Sequence, residues 1–350
     1  MSISPHLRRV WNPPNPYLAE HRELLGEPPV AELEVWEDHS KSVLSKNESP
    51  DLGFRWSVNP YRGCFHACAY CYARTTHEYL GLGAGSDFER KLFVKPDAPA
   101  LLAAAFRKKS WRRELVAFSG VTDCYQPLEA AWKLTRRCLE VCAEFRNPVG
   151  IVTKSALVRR DLDILEHLNT SAAAHVCISI PFLDEDIVRK LEPGTATVKR
   201  RLETVEFLAD HGIPVGVAVS PIIPGLNDAD VPRILQEAHR AGARTAFRTL
   251  LRLPGSVEGV FLHRLREEMP LRADRVESRI REVRGGKLND SRFGKRHVGK
   301  GKYWSTIDEM WELWTRRLGF KTGETAAVKP GPPPDLPPPP PPTTQMELSL

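Results

Sequence analysis

The stretch FRWSVNPYRGCFHACAYCYAR (residues 54–74) runs from an apolar, strand-like opening into three cysteines, Cys64, Cys68 and Cys71, spaced C-x3-C-x2-C. Three thiols this close point to a metal, yet a tetrahedral structural zinc site takes four protein ligands, usually as two separated pairs. No second pair follows; Cys124, Cys138, Cys142 and Cys177 fall elsewhere along the chain. His66 or His77 would complete a three-cysteine, one-histidine zinc site. An iron–sulfur cluster is the other reading: thiolates are soft ligands, and a cubane of four irons held by three cysteines keeps one iron open to a substrate or cofactor. A loop that wraps three thiols onto one cluster must turn tightly, and Gly63 just before the first suits that need.

Outward from this loop the chain alternates short apolar runs with amphipathic stretches. FRWSV (54–58), ELVAFSG (114–120), VGIVTKS (149–155), HVCISIPF (175–182), PVGVAVSPIIPG (214–225) and RTAFRTLLRLP (244–254) read as strands. Helical patterns follow them at 128–145, 160–168, 196–212 and 230–243, the third stopped at Gly212. Six strands alternating with helices predict an α/β protein with a parallel sheet, doubly wound or wrapped into a barrel. Either arrangement gathers ligands at the carboxyl ends of the strands. The cysteine loop, SGVTDCYQP (119–127), TKS (153–155), SIPF (179–182) and SPIIPGLND (220–228) should therefore share one rim.

We expect four parts: an N-terminal arm over 1–50, a core over 51–255, a helical and basic extension over 256–320, and a disordered proline-rich tail over 321–350. The 350 residues are 41% hydrophobic and 27% charged, an ordinary globular mix able to bury a large core. Seven cysteines, three of them clustered, do not suggest a secreted disulfide framework. The opening residues lack the apolar core of a signal peptide, and no run approaches the ~18 apolar residues of a membrane span. The expectation is a soluble cytoplasmic protein that keeps its thiols reduced. A formal net charge of +6 is compatible with an anionic partner.

CFHACAYC (64–71), with aromatic Tyr70 before the third cysteine, resembles the cluster loop of the radical S-adenosylmethionine (radical SAM) superfamily. SPDLGFRWSVNPYRGCFHACAYCYAR (49–74), TDCYQP (122–127) and VTKS (152–155) are similar to the branch related to spore photoproduct lyase, a resemblance running from about 40 to 320. It implies a partial (β/α)6 barrel of the TIM-like type, with a 4Fe–4S cluster on Cys64, Cys68 and Cys71. The open iron would chelate S-adenosylmethionine, whose reductive cleavage gives a 5′-deoxyadenosyl radical for hydrogen abstraction, the electron coming from a donor of the flavodoxin or ferredoxin class. The resemblance also places Ser119, Gly120, Thr122 and Asp123 at the methionine amino group, although Thr122 and Asp123 equally suit a helix cap near Pro127. Tyr70 and Ser220 would lie near adenine, Ser179 near ribose, and Lys154 near a carboxylate or a substrate anion. Cys124 stands where related sequences lead one to expect proline; it is a candidate hydrogen-atom donor or a small buried hydrophobe. Tyr125 is an alternative radical relay.

The related enzyme suggests a DNA lesion as substrate. Segment 285–304 carries Lys287, Arg292, Lys295, Arg296, Lys300 and Lys302 against Asp290 alone, with Phe293, Tyr303 and Trp304 interleaved, a composition suited to nucleic acid or to a solvated loop at the barrel mouth. QMELSL (345–350) resembles peptides that bind the DNA sliding clamp, with Gln345, Leu348 and Leu350 as anchors. Two alternatives stay open: a zinc-stabilised, non-catalytic nucleic-acid-binding protein using Cys64, Cys68, Cys71 and His77, and a radical enzyme acting on a peptide or small molecule.

Overall fold

The computed structural model of the chain describes residues 32–322. Most of the expected arm, the tail beyond 322 and the clamp-like peptide lie outside the described residues. Ten strands form two sheets: β1 (Glu34–Glu37), β2 (Leu44–Lys46), β3 (Trp56–Val58), β4 (Tyr61–Arg62), β5 (Lys91–Val94), β6 (Val116–Phe118), β7 (Val149–Thr153), β8 (Ala174–Ser179), β9 (Val215–Ile222) and β10 (Thr245–Leu250).

The larger sheet runs β10-β9-β8-β7-β6-β3-β2. Its six strands from β3 to β10 are mutually parallel and are the six read from the sequence; β2 adds an antiparallel edge on β3. The register aligns Val58, Phe118, Ile151, Val176 and Val215 in one row, every one of them buried. Burying a side chain of this size contributes roughly 1.5–3 kcal/mol, and the rows fix which residue sits at each strand end. Helices Leu162–Ser171, Val198–Asp210 and Val231–Arg240 cross over between consecutive strands, as parallel pairing requires. The sheet does not close: β10 and β2 remain its two edges. This is the partial (β/α)6 barrel.

Two local features depart from expectation. The pattern over 128–145 predicts one helix, but Lys133 adopts φ +52° and splits it into Leu128–Trp132 and Leu134–Glu144. AELEVWE, expected in the arm, supplies β1, which pairs with β5 in a three-stranded sheet completed by β4. That small sheet leads directly into the cysteine loop, because β4 ends at Arg62. Among the described residues no helix is long and apolar enough to cross a membrane.

Candidate active site

The cysteine loop leaves β4 through Gly63, whose φ of +74° and confinement exclude a side chain: a Cβ there would stand 2.7 Å from Leu92 and 2.9 Å from the Phe88 carbonyl. The loop is then a chain of tight turns closed on cysteine carbonyls. The amides of Ala67, Cys71 and Arg74 donate to the carbonyls of Cys64, Cys68 and Cys71, each at 3.2 Å. Cys64 and Cys68 are buried and Cys71 half-buried; all three are free thiols. Burial pushes each thiol up, Cys68 to about 12, and Cys64 rises further beside Asp123 and its two neighbouring thiols.

Buried polar side chains pin this loop from every side. Gln126 clamps Cys64, accepting from the Phe65 amide and donating to the Gly63 carbonyl, both at 3.0 Å. Arg74, fully buried, donates to the Cys68 carbonyl through two nitrogens and to the carbonyls of Ala84 and Gly85, and it pairs with Glu89. The turn after helix Glu185–Leu191 meets the other flank: Ala69 donates to Leu191, Gly194 donates to His66, and a Cβ on Gly194 would fall 2.1 Å from the Phe65 carbonyl. In that turn Glu192 is wholly buried, accepts from the Tyr70 hydroxyl, pairs with Arg201 at 2.6 Å and lies 3.9 Å from Lys154 Nζ. Burial alone would lower the Lys154 pKa, but Glu192 and Cys68 raise it, so its ammonium stays charged at the end of β7. Arg201 also donates to the Ser179 carbonyl at 3.1 Å, and Ser179 Oγ reaches the Ser220 carbonyl at 3.4 Å. The structure thus brings Tyr70, Lys154, Ser179 and Ser220 to one rim.

Asp123 is tied into the fold around it. Its carboxylate accepts from the Tyr125 amide, the Thr153 hydroxyl and the Lys154 amide at 2.7–2.9 Å, and faces His66 Nδ1 at 3.3 Å. Burial would raise this carboxyl, yet His66 and the two β7 donors hold it at about 2. These bonds tie the cysteine loop to the end of β7. Thr122 is likewise committed to the Tyr61 carbonyl, and the Ser119 hydroxyl accepts from the Cys124 amide. The Gly120 carbonyl accepts from Tyr72 at 2.6 Å.

Cys124 is buried in the main core, its carbonyl taken by Thr135, and burial pushes its thiol far up. Tyr125 donates to Asp161 at 3.0 Å, and Asp161 is held by Arg136 and Arg160 on the helical side. In the basic segment Trp304 is core and the Tyr303 hydroxyl is bound to Asp228, so of its three aromatics only Phe293, 60% exposed, is open for stacking.

Sequence reasoning passed over Gln126, Glu192 and Arg201. Gln126 lay inside a motif already singled out, whereas Glu192 and Arg201 gave no signal beyond an EPG turn and an amphipathic helix.

The donor set fits an iron–sulfur cluster. Three mutually close thiols, kept protonated by burial, need a cationic centre to hold them as thiolates. Among the described residues no group of three or more histidine, cysteine or carboxylate side chains converges to ligate a single ion, whereas a cluster takes each thiolate on a different iron. Of the two histidines that the zinc alternative would draw on, His77 has Nε2 on the Lys91 carbonyl at 2.8 Å, its ring against Phe88 and Phe93 and its Nδ1 unpartnered, and His66 faces Asp123.

Residues 58–238, from the end of β3 through most of helix Val231–Arg240, match the model of the Radical SAM superfamily. The chain belongs to that superfamily. An uncharacterized protein of Mycobacterium tuberculosis is 36% identical over 246 residues, 69% of this chain and 71% of the relative. A radical SAM Nalpha-GlyT isomerase of Pseudomonas phage M6 is 25% identical over 213 residues, 60% of this chain and 42% of the phage protein. Spore photoproduct lyase, solved in complex with dinucleoside spore photoproduct, shares the fold at a TM-score of 0.59 and 17% identity, covering 87% of each chain. Membership in the radical SAM superfamily removes the non-catalytic zinc alternative.

Proposed function

We propose that Cys64, Cys68 and Cys71 hold a 4Fe–4S cluster, that S-adenosylmethionine binds beside it at the ends of β6 to β9, and that the substrate is a nucleic acid. The observation carrying this reading is three free, adjacent thiols, Cys64 and Cys68 buried and Cys71 half-buried, on the loop that opens a parallel barrel. When bound, the cluster supplies the electron that cleaves the sulfonium and yields a carbon radical able to abstract hydrogen.

The chain's own residues do the positioning. Gln126, Arg74 and the Gly194 turn fix the loop backbone, and Asp123 ties it to β7. Lys154, charged through Glu192, presents a cation to the cofactor carboxylate, while Ser179 offers a polar group to its ribose and Ser220 lies toward its adenine. Burial of Tyr70 against Phe182, ring centroids 6.3 Å apart, keeps water from the loop's inner face. A flavodoxin- or ferredoxin-class protein supplies the electron. Lys287, Arg292, Lys295, Lys300 and Lys302, all exposed, support a nucleic-acid substrate, as does the dinucleoside bound by the similarly folded spore photoproduct lyase.

The test is anaerobic reconstitution followed by dithionite, S-adenosylmethionine and chromatography for 5′-deoxyadenosine. We expect about four iron and four sulfide per chain, and loss of cluster and product in Cys64→Ala, Cys68→Ala and Cys71→Ala. One zinc per chain and no cluster would overturn the reading.

A further inference from the structure

Residues 287–300 form a strap laid across the end of β10. Arg284 clamps it by donating to four carbonyls: Lys295 at 3.0 Å, Val298 at 3.2 Å, and Leu251 and Arg296 at 2.8 Å each. The Leu250 amide takes the His297 carbonyl at 2.9 Å. With the carbonyls of 295–298 all engaged, the strap's backbone is fixed and its side chains are left to do something else.

Arg296 crosses to the loop between β2 and β3, pairing with Asp51 at 2.6 Å and donating to Ser49; Gly294 also donates to Asp51 at 2.6 Å. These bonds bridge the two edge strands of the open barrel. Beside this bridge, Arg252 stacks on Tyr72, its guanidinium carbon 5.3 Å from the ring, and Tyr72 immediately follows Cys71. The junction thus lies against the cysteine loop.

The charges there are not balanced. Arg252, Arg284 and Arg296 surround His297, with Asp51 the one acidic group among the neighbours that act on it. Both ring nitrogens of His297 and Nε of Arg252 are buried without a hydrogen-bond partner. Buried polar groups are nearly always paired, so a cluster of this kind calls for a ligand. The ligand must accept hydrogen bonds and carry negative charge, because an imidazole N–H and guanidinium groups converge while excess positive charge is repelled. Burial, then Arg252 and Arg296, bring the imidazole down to about 4, so it serves as a neutral donor.

We propose that Arg252 and His297, backed by Arg296, form a phosphate-binding site that anchors a backbone phosphodiester of the substrate strand next to the cysteine loop. The proposal rests on the nucleic-acid reading above and sharpens it: exposed lysines of the strap draw the strand in, and Arg252 and His297 fix its register relative to the radical source.

The cluster-loaded protein is titrated anaerobically into fluorescein-labelled single-stranded oligothymidylate over a salt series. Arg252→Gln should weaken binding about tenfold and lower the salt slope by about 0.7, one phosphate contact on a single strand. His297→Phe should weaken binding severalfold, Arg252→Lys should recover part of the loss, and Arg240→Gln, a charge-matched change on a remote helix, should stay within twofold of wild type. Circular dichroism on each variant separates misfolding from lost contact. Wild-type affinity in both Arg252→Gln and His297→Phe would overturn the site. If the wild type ignores the oligonucleotide, the nucleic-acid reading fails, and calorimetry with inorganic pyrophosphate decides the site alone: heat lost in Arg252→Gln keeps it, and no heat from the wild type ends it.

Discussion

The cysteine loop and the basic strap are both irregular connections, yet their polar groups are disposed in opposite ways. In the loop, Gln126, Arg74, Glu192 and Asp123 are buried and spend their hydrogen-bonding capacity on backbone or on one another. In the strap the backbone is equally well held, but the lysines face solvent and His297 has no partner. One segment is built to hold a group in place, the other to receive one. The difference predicts that changes in the loop cost stability, whereas changes in the strap cost binding.

The severest test of that contrast is Glu192→Gln. It leaves Arg201 and Lys154 buried without their carboxylate, a loss of about 3–5 kcal/mol readable in urea unfolding. A variant as stable as wild type would mean the loop does not depend on this network.

Asp123→Asn should cost less, about 2 kcal/mol, corresponding to a carboxyl lowered from the ordinary 3.8 to about 2. The sign follows from a depressed pKa: the contribution is whole above about pH 4 and is lost as pH falls through 2. Denaturation curves taken between pH 2 and pH 5 should therefore fall more steeply in wild type than in the variant.

Lys295→Gln should have the smallest effect, leaving the thermal midpoint in place while reducing the salt dependence of oligonucleotide binding. A drop in midpoint without a change in salt slope would reverse the roles assigned to loop and strap.

The main sheet was legible because parallel strands are buried on both faces and so appear as continuous apolar runs. VGIVT and VGVAV could hardly be anything else, and both are strands. The three-stranded sheet was not legible: its members span two to four residues, β1 is exposed throughout, and β5 alternates over four residues only, too short a run to mark a strand. The three cysteines identified themselves through spacing within eight residues. Their supports did not, because Gln126 reaches its loop partner across 61 positions and Glu192 meets Tyr70 across 122.

The same division runs through the candidate residues. Lys154 and Ser179 sit on the rim because strand ends position them, and strand ends follow from the apolar pattern. Asp123, Cys124 and Tyr125 share one rim segment, TDCY, but which way each side chain turns depends on neighbours remote in sequence: His66 and Thr153 for Asp123, Thr135 for Cys124, Asp161 for Tyr125.

The sequence by itself determined the cysteine spacing and the strands of the barrel, since thiol spacing and strand burial are local properties that survive in any surroundings. Only the tertiary structure decided which acids are free and which are tied, and where an imidazole is left without a partner. Those are matters of which groups meet, and long-range hydrogen bonds and ion pairs exist only once the sheet has brought their two ends together.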